Sequence, residues 1–375
     1  MSRQKSSGRF RFAAASILLA ALIFLVPALQ NGDYTLYLLA VLVPCAMFLS
    51  ETVLARMFSL DRMVMALVLY LCALGIAALA LTNPNDAVGQ SLRCGAGLAA
   101  LLAGGILIRS LSPSLLTASC TAFLGLLFLA GKLFSPSLSL PLSEVSLALL
   151  LVAFSALFAR QGPVSALLAG MAGLALLLIR GETAEAFLWG ITVLLLVFAA
   201  DGRLVVVLPA LALELLLFFG VFRLFPGISQ SNDSLNILAS AGAIGYDLLP
   251  EGIETLDASS LFPRLAGHYG LIFSGLSALL FLPLALRGTS VASCARTRFH
   301  AVLAMGASLI LSLRAIAALL SVFGFLPLAG LRLPFLTSSL PDLCAELFLA
   351  GLICGVSGRS DADLAEDAHL AMLAK

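Results

Sequence analysis

Long apolar runs follow one another along almost the whole chain, and they restrict the kind of fold that it can adopt. Of its 375 residues, 61% are hydrophobic and only 11% are charged, and the mean hydropathy is +1.10. That composition leaves too little polar surface to cover a water-soluble globule. In a bilayer every backbone polar group must be satisfied, and these runs are continuous rather than alternating, so they are predicted to be helices.

Runs of about twenty apolar residues predict twelve spans, and therefore an all-α, polytopic transmembrane helical bundle. Residues 180–182 separate two of the spans so closely that the pair could instead form one broken element. The predicted spans are 12–29, 35–50, 63–82, 92–108, 115–134, 142–159, 163–180, 183–199, 204–222, 265–286, 299–323 and 338–356.

The positions of lysine and arginine predict which span ends face the cytoplasm, because positively charged flanks stay inside. The amino-terminal tail carries Arg3, Lys5, Arg9 and Arg11 before the first acidic residue, Asp33. With this tail inside, fourteen of the twenty-one basic residues fall on cytoplasmic segments and six on outer segments. The sequence therefore predicts a multi-pass membrane protein with both termini in the cytoplasm.

One long polar stretch, from about residue 223 to residue 264, separates the ninth and tenth predicted spans. The predicted threading places this stretch on the outer side of the membrane. It carries the carboxylates of Glu251, Glu254 and Asp257 close together. Several carboxylates on one outer loop of a membrane protein indicate substrate handling rather than a simple connection between helices.

Several other classes of site and partner find no support in the sequence. The seven cysteines and three histidines are scattered without the spacing of a metal site, so no metal site is predicted from them. The net charge of +1 favours neither nucleic acid nor another polyanionic partner. No internal repeat of fixed period divides the chain.

Six short motifs occur in a fixed order along residues 141–335. They are 141–144 against "QPSE", 180–183 where "QPDLGT" is expected, 223–242 against "RI..F..P…Q…QSLIAIGSGG", 249–251 against "LPE", the helix residue Gly270, and 325–335 against "LLPxTGxPLPF". Together they resemble the SEDS family, the RodA, FtsW and SpoVE type membrane proteins of bacterial cell-wall synthesis.

The resemblance implies a domain organisation. A SEDS-like transmembrane core of ten helices extends over residues 61–357 and includes the large extracytoplasmic loop 223–264. Residues 1–60 form a basic tail and two additional spans, and residues 358–375 form a short cytoplasmic tail. The resemblance also implies a location in the bacterial cytoplasmic membrane.

The resemblance further implies an enzyme. SEDS proteins are peptidoglycan glycosyltransferases that polymerise lipid-linked disaccharide-pentapeptide, lipid II, into glycan strands on the outer face of the membrane. The acceptor hydroxyl loses a proton as it attacks the anomeric carbon, and lipid pyrophosphate leaves. Such a reaction needs a carboxylate base and cationic groups beside the leaving group.

The family's catalytic aspartate follows the "LPE" motif. Counting back from Gly270 places that position on Ser259, and a shift of two residues places it on Asp257. Asp257 is therefore the predicted base, with Glu254 and Glu251 as substitutes. The alternative is that Asp257 only caps the helix that follows it.

Three arginines at the predicted outer face are candidates for binding the pyrophosphate. Arg223, Arg264 and Arg332 all flank outer segments, and a guanidinium binds phosphate oxygens through paired hydrogen bonds. The same residues could equally be anchors that reach from helix ends to the membrane surface. Gln230 and Ser234, in the motif that follows Arg223, are also predicted to contact the substrate.

Four charged residues are predicted at or inside spans. Glu144 and Glu182 begin spans at the outer side, and they are predicted either to line the substrate site or to cap their helices. Arg314 and Glu214 fall within spans, where an unpaired charge is costly, so each needs a partner. They could pair with each other or with Glu346.

Partners and cofactors are implied by the resemblance only. The family works with a class B penicillin-binding transpeptidase, and a divalent cation, Mg or Mn, could assist the pyrophosphate, although no motif marks its site. Two other functions stay open: a polymerase or ligase for another lipid-linked saccharide, and a non-catalytic scaffold or lipid-precursor flippase. The sequence does not distinguish elongation, division and sporulation.

Overall fold

The computed structural model describes residues 2–31, 34–80, 84–111, 114–134, 143–202, 207–216, 233–243, 245, 261–326 and 331–373. Every regular element within these residues is helical. Between α2 and α3, the chain continues through a π-helical turn, Ser50–Leu54, and a last α-helical turn, Ala55–Met57. The helices are α1 Ser2–Asn31, α2 Tyr34–Leu49, α3 Arg62–Ala80, α4 Pro84–Ser110, α5 Leu115–Phe134, α6 Ser143–Gln161, α7 Pro163–Ile179, α8 Thr183–Asp201, α9 Val207–Leu216, α10 Asp233–Ser240, α11 Leu261–Ala278, α12 Phe281–Ser293, α13 Arg298–Val322 and α14 Leu340–Leu373.

Within the described residues, eight helical segments are long and apolar enough to cross a membrane. Four shorter apolar helices accompany them, and each of the twelve overlaps one predicted span. The all-α polytopic class is therefore confirmed. The count of twelve stays a prediction, because the shorter helices have at most 17 apolar residues and a perpendicular span needs about 20. They are Ala14–Leu29, Leu115–Gly131, Pro163–Ile179 and Val207–Leu216.

The chain divides into two compact units. Unit one comprises Met1–Arg109, Asn232–Arg287 and Arg332–Lys375, and unit two comprises Ser110–Ser231 and Gly288–Leu331. The chain passes from unit one to unit two within α4 and again within α12.

Helix α3 is the central helix of unit one. From Val64 to Ala80 every side chain except that of Leu69 is buried, as expected for a helix that is apolar all round. It contacts α1, α11 and α14, and α1 also packs along α2. The predicted additional pair of amino-terminal spans therefore packs directly on the helix that begins the predicted core.

Close packing in unit one depends on glycines in α4 and α14. A Cβ atom on Gly104 would lie 2.6 Å from the carbonyl oxygen of Phe348, and one on Gly355 would lie 2.6 Å from that of Gly105. Gly351 is similarly close to Leu101. Small residues spaced four apart let helix backbones approach in this way. The structure confirms the prediction that the glycine-rich run in α4 serves helix packing.

Unit two is built from neighbouring helices that pack in sequence order. Helix α5 packs on α6, α6 on α7 and α7 on α8, while α13 packs on both α6 and α8. Residues 180–182 form a turn between two separate helices, with Gly181 at a φ of 75°. Trp189 Nε1 donates to the Gly170 carbonyl at 2.9 Å, which fixes α8 against α7.

A buried polar cluster closes one end of unit one. Asp61 accepts a hydrogen bond from Arg287 Nε at 2.8 Å, a second contact from the same guanidinium, and a bond from Ser357 Oγ at 2.9 Å. Its other oxygen accepts from the Met63 backbone N–H at 2.9 Å, so Asp61 also caps α3. One carboxylate thus ties together the start of α3, helix α12 and helix α14.

Candidate functional site

Half of the predicted site residues lie outside the described residues. These are Asp257, Glu254 and Glu251, the candidate bases, together with Arg223 and Gln230. Ser234 lies in α10, but its side chain is also outside the described part. The described candidates are Arg264 and Arg332 in unit one and Glu144 and Glu182 in unit two.

The chain on either side of the carboxylate-bearing stretch is held at a break in α11. Gly270 has φ 85° and ψ 166°, which interrupts the helix. The backbone N–H groups of Leu271 and Ile272 donate to the carbonyls of Gly242 and Ala243, at 3.1 and 3.3 Å. The chain just after α10 therefore satisfies donors that begin the second half of α11 and would otherwise lack partners.

Gly245 adds to this junction. Its φ of 95° lies in the left-handed region, and a Cβ atom there would be 3.0 Å from the backbone nitrogen of Gly270. Only glycine fits both conditions without displacement. The stretch with Glu251, Glu254 and Asp257 follows Gly245 and returns at Leu261, the first residue of α11. Sequence comparison had marked Gly270 as a helix residue and did not predict the break.

Arg264 lies on the first turn of α11, close to the end of that stretch. It is only 6% exposed, and its guanidinium is close enough to the Asp86 carboxylate for an electrostatic interaction. His268 lies one turn further along the same helix, and its Nε2 atom has no hydrogen-bond partner among the described residues. A simple anchor at the membrane surface would be exposed, so the anchor interpretation does not fit Arg264.

Arg332 is fixed by a residue that the sequence assigned to the start of the last helix. Its Nη1 contacts Asp342 Oδ2 at 2.7 Å, and Asp342 lies in the first turn of α14, as predicted. The arginine side chain keeps 36% of its surface exposed, so the ion pair uses only part of its five N–H donors.

The rest of the segment between Arg332 and α14 is held by buried polar groups. Phe335, at a φ of 66°, donates its backbone N–H to Glu346 Oε2 at 2.6 Å. Gln90 Nε2 donates to the Thr337 carbonyl at 2.7 Å. These bonds satisfy backbone groups that regular structure does not serve, and they hold a non-helical segment inside unit one.

Arg314 has different partners from those that the sequence suggested. It forms ion pairs with Glu144, at the start of α6, and with Glu185, in the first turn of α8. The predicted alternatives, Glu214 and Glu346, are wrong as partners for it. Glu185 was missed, although its place one turn into a predicted span was a signal. A cavity of about 10 Å³ adjoins Glu185 and Arg314, space for at most one water molecule.

The other charged candidates in unit two have local roles. Glu182 is the N-cap residue of α8, but its side chain contacts Arg180 Nη2 at 2.6 Å instead of capping the helix. Glu214 is 7% exposed, and its carboxyl packs so closely on α8 that a Cβ atom on Gly190 would lie 2.5 Å from its Cδ. Among the described residues, no three or more His, Cys, Asp or Glu side chains are grouped as metal ligands.

Comparison with known proteins locates the similarity. The family model for FtsW, RodA and SpoVE, described as "Cell cycle protein", matches residues 240–361. The chain is 31% identical over 213 residues to the probable peptidoglycan glycosyltransferase FtsW of Geobacter metallireducens, covering 50% of this chain and 56% of that protein. It is 30% identical over 170 residues to the protein of the same name from Borreliella burgdorferi, covering 40% and 46%. The chain thus spans about half the length of these relatives.

Solved structures show the same fold. The rod shape determining protein RodA of Thermus thermophilus, in an aspartate-to-alanine variant, matches with a TM-score of 0.61 and 20% identity, over 80% of this chain and 98% of that one. A structure described as "Structural coordination of polymerization and crosslinking by a peptidoglycan synthase complex" matches with a TM-score of 0.56 over the same shares. With the ordered motifs and the matched region 240–361, these similarities identify the chain as a divergent member of the SEDS family, a multi-pass bacterial membrane protein.

Proposed function

We propose that this protein is a SEDS-type peptidoglycan glycosyltransferase, which polymerises lipid II into glycan strands on the outer face of the cytoplasmic membrane for cell shape or division. The observation that carries the proposal is the junction at Gly270. Gly242, Ala243 and Gly245 pack at this break in α11, so both ends of the stretch with Asp257 are held in unit one. The junction lies within the part of the chain that matches the family model.

In this proposal Asp257 accepts the proton from the acceptor sugar hydroxyl, and Glu254 or Glu251 substitutes if the register shifts. A carboxylate on a stretch held at both ends keeps a limited range of positions, which lowers the entropy cost of aligning base and hydroxyl. Ser259, the other position reached by counting from Gly270, cannot act as a carboxylate base.

Cationic groups would stabilise the departing pyrophosphate. Arg264 is buried beside the end of the Asp257 stretch, and Arg332 keeps donors available while bound to Asp342. Together with Arg223 they are the proposed contacts to phosphate oxygens, which favour guanidinium groups. Gln230 and Ser234 are proposed to bind the sugar or peptide. A divalent cation, Mg or Mn, would supply further charge neutralisation.

Glu144 and Glu182 fit this proposal less directly. Both take part in ion pairs of unit two, Glu144 with Arg314 and Glu182 with Arg180. We propose that Glu144 supports the fold of the bundle and that any contact with substrate is secondary. Both chain termini are proposed to be cytoplasmic, following the positive charge pattern.

A class B penicillin-binding protein is the proposed partner. The support is the fold similarity to a protein in a peptidoglycan synthase complex that coordinates polymerization and crosslinking. Such a partner would crosslink the strands that this chain makes.

The test is polymerisation of lipid II by the purified protein in proteoliposomes, read as glycan strands on a gel. We expect Asp257→Ala to lower the rate about 10²- to 10⁴-fold, the usual range for losing a general base. Asp361→Asn, in the predicted cytoplasmic tail, is the matched carboxylate control and is expected to be fully active.

Three other variants separate the register alternatives: Glu254→Ala, Glu251→Ala and Ser259→Ala. Normal strands from Asp257→Ala, with activity lost in Glu254→Ala, would move the base to Glu254. Full activity in all four variants would remove this stretch from the chemistry. No strands from any form, with a class B transpeptidase present, would favour another lipid-linked saccharide or a scaffold.

A further inference from the structure

Five arginines surround one short loop in unit one, apart from the proposed catalytic region. The loop is residues 58–61, and we call the surrounding group Arg56, Arg62, Arg109, Arg287 and Arg359 the basic collar. Arg56 lies in the last helical turn before the loop, and Arg62 begins α3 directly after it. The other three come from α4, α12 and α14. The positive charge pattern predicts that this end of the unit faces the cytoplasm.

Three collar arginines are anchored at or beside the loop by hydrogen bonds. Arg109 Nη2 donates to the Phe58 carbonyl at 2.6 Å, and Arg287 Nε donates to Asp61 at 2.8 Å. Arg359 Nη1 donates to the carbonyl of Ile108, the neighbour of Arg109, at 3.3 Å. A guanidinium has five N–H donors, so these bonds orient each group and leave donors for a ligand. Arg56, Arg109 and Arg359 are exposed.

The collar has a surplus of positive charge. Asp61 is bound by Arg287, and Glu51 faces Arg62 electrostatically. Five guanidiniums against these two carboxyl groups leave a net charge of at least +3. A tendency of cationic flanks to stay inside explains the number of arginines, but it does not require that they be fixed to backbone carbonyls around one loop.

The surroundings of the collar favour a ligand that is both anionic and apolar. Met57 is 68% exposed, and Ile106 and Leu107 are 42% and 39% exposed on the last turns of α4. Phosphate oxygens match the forked donors of arginine, and acyl chains match the apolar side chains beside them. A soluble polyanion would use only the first of these features.

We propose that the basic collar binds the headgroup of an anionic phospholipid, with the diphosphate headgroup of cardiolipin preferred. The lipid would bridge Arg56, Arg109 and Arg359 through its phosphates while its chains lie against Met57 and the end of α4. The proposal concerns a binding surface and does not depend on the proposed catalytic activity.

The test uses the full chain purified in neutral detergent. Equal mole fractions of cardiolipin, phosphatidylglycerol or phosphatidylcholine are added, and lipid retention is measured by native mass spectrometry beside the thermal unfolding midpoint. We expect retention in the order cardiolipin, phosphatidylglycerol, phosphatidylcholine. Each of Arg56→Gln and Arg109→Gln should weaken cardiolipin retention about fivefold, the usual effect of one basic residue at an anionic surface.

Arg93→Gln is the matched control, because Arg93 lies on α4 toward its opposite end and also makes one hydrogen bond, to Gln90. It should retain cardiolipin like the unaltered protein. If Arg109→Gln fails to fold, Arg109→Lys keeps the charge and should retain most of the binding. Equal retention of the three lipids, unchanged retention in both collar variants, or equal protection by soluble inorganic pyrophosphate would each overturn the proposal.

Discussion

Two buried ion clusters, one in each unit, satisfy arginine and carboxylate groups in different proportions. In unit one a single carboxylate, Asp61, is served by Arg287, by Ser357 and by backbone N–H groups of α3. In unit two a single guanidinium, Arg314, serves the two carboxylates of Glu144 and Glu185. The first cluster is rich in donors and the second is poor in them.

The difference indicates which group each cluster depends on. Removing one partner of a buried ion pair leaves an uncompensated charge, which costs more than the pair itself contributes. In unit one the shared group is the carboxylate, and in unit two it is the guanidinium. Each of these two groups connects elements that are far apart in sequence: Asp61 joins α3, α12 and α14, and Arg314 joins α6, α8 and α13.

The largest effect is expected from Arg314→Met. The variant leaves two carboxylates facing each other without a cation, and we expect a loss of about 3–5 kcal/mol in the free energy of unfolding. Thermal unfolding in detergent, followed by the intrinsic fluorescence of Trp189, measures it. The combination of Arg314→Met with Glu144→Gln and Glu185→Gln should recover much of the loss. A triple variant as unstable as Arg314→Met alone would contradict the charge explanation.

Asp61→Ala should follow, with a loss of about 2–3 kcal/mol, because it removes the cap of α3 and leaves Arg287 and Ser357 without their acceptor. The Arg287 side chain is 21% exposed, so water compensates part of the charge. Asp61→Asn keeps the cap and removes the charge, and it should lose less. Equal unfolding midpoints for the two variants would show that capping adds nothing.

The stability of unit one should depend on acid through Asp61. Burial alone would raise the pKa of this carboxyl, but the hydrogen bonds and charge of Arg287, with the bonds from Ser357 and Met63, outweigh burial and lower its pKa below 3.8. A lowered pKa in the folded state means that its stabilisation is complete above about pH 4 and is lost as the pH falls through the folded value.

The measurement is the unfolding midpoint of the protein between pH 3 and pH 7. We expect a fall below about pH 4 that is clearly smaller in Asp61→Asn, which has no titrating group at this position. Identical pH profiles for the two proteins would contradict the assignment.

Ser357→Ala tests a single neutral donor in the same cluster. It removes the 2.9 Å hydrogen bond to Asp61 while Arg287 and the backbone donors remain. We expect a loss of about 1 kcal/mol, the usual value for one hydrogen bond. Ser293→Ala, at an exposed position of α12, is the control and should have no measurable effect.

Glu185→Gln should have the smallest effect, a change within about 1 kcal/mol in either direction. It removes one of the two carboxylates that share Arg314, so charge balance improves while the amide still accepts a hydrogen bond. A loss as large as that of Asp61→Ala would show that both carboxylates of unit two are required in ionised form, and it would remove the contrast between the clusters.

Much of the candidate site was predictable, with uneven depth. Glu144 and Asp342 lie at helix starts, as the sequence predicted, because helix ends follow from local patterns of polar and apolar residues. Glu185 and Asp61 were missed, because each matters through contacts with residues more than a hundred positions away. No local pattern encodes such distances.

The sequence by itself determined the all-α membrane class, the order of the helices and the family, since apolar length and short ordered motifs are local properties of the chain. Only the tertiary structure decided which carboxylates Arg314 binds, that Asp61 is the shared acceptor of unit one, and that α11 breaks at Gly270 to receive the chain after α10. These outcomes depend on which donor comes within hydrogen-bonding distance of which acceptor once the helices have packed, and several equally charged partners compete for each position until then.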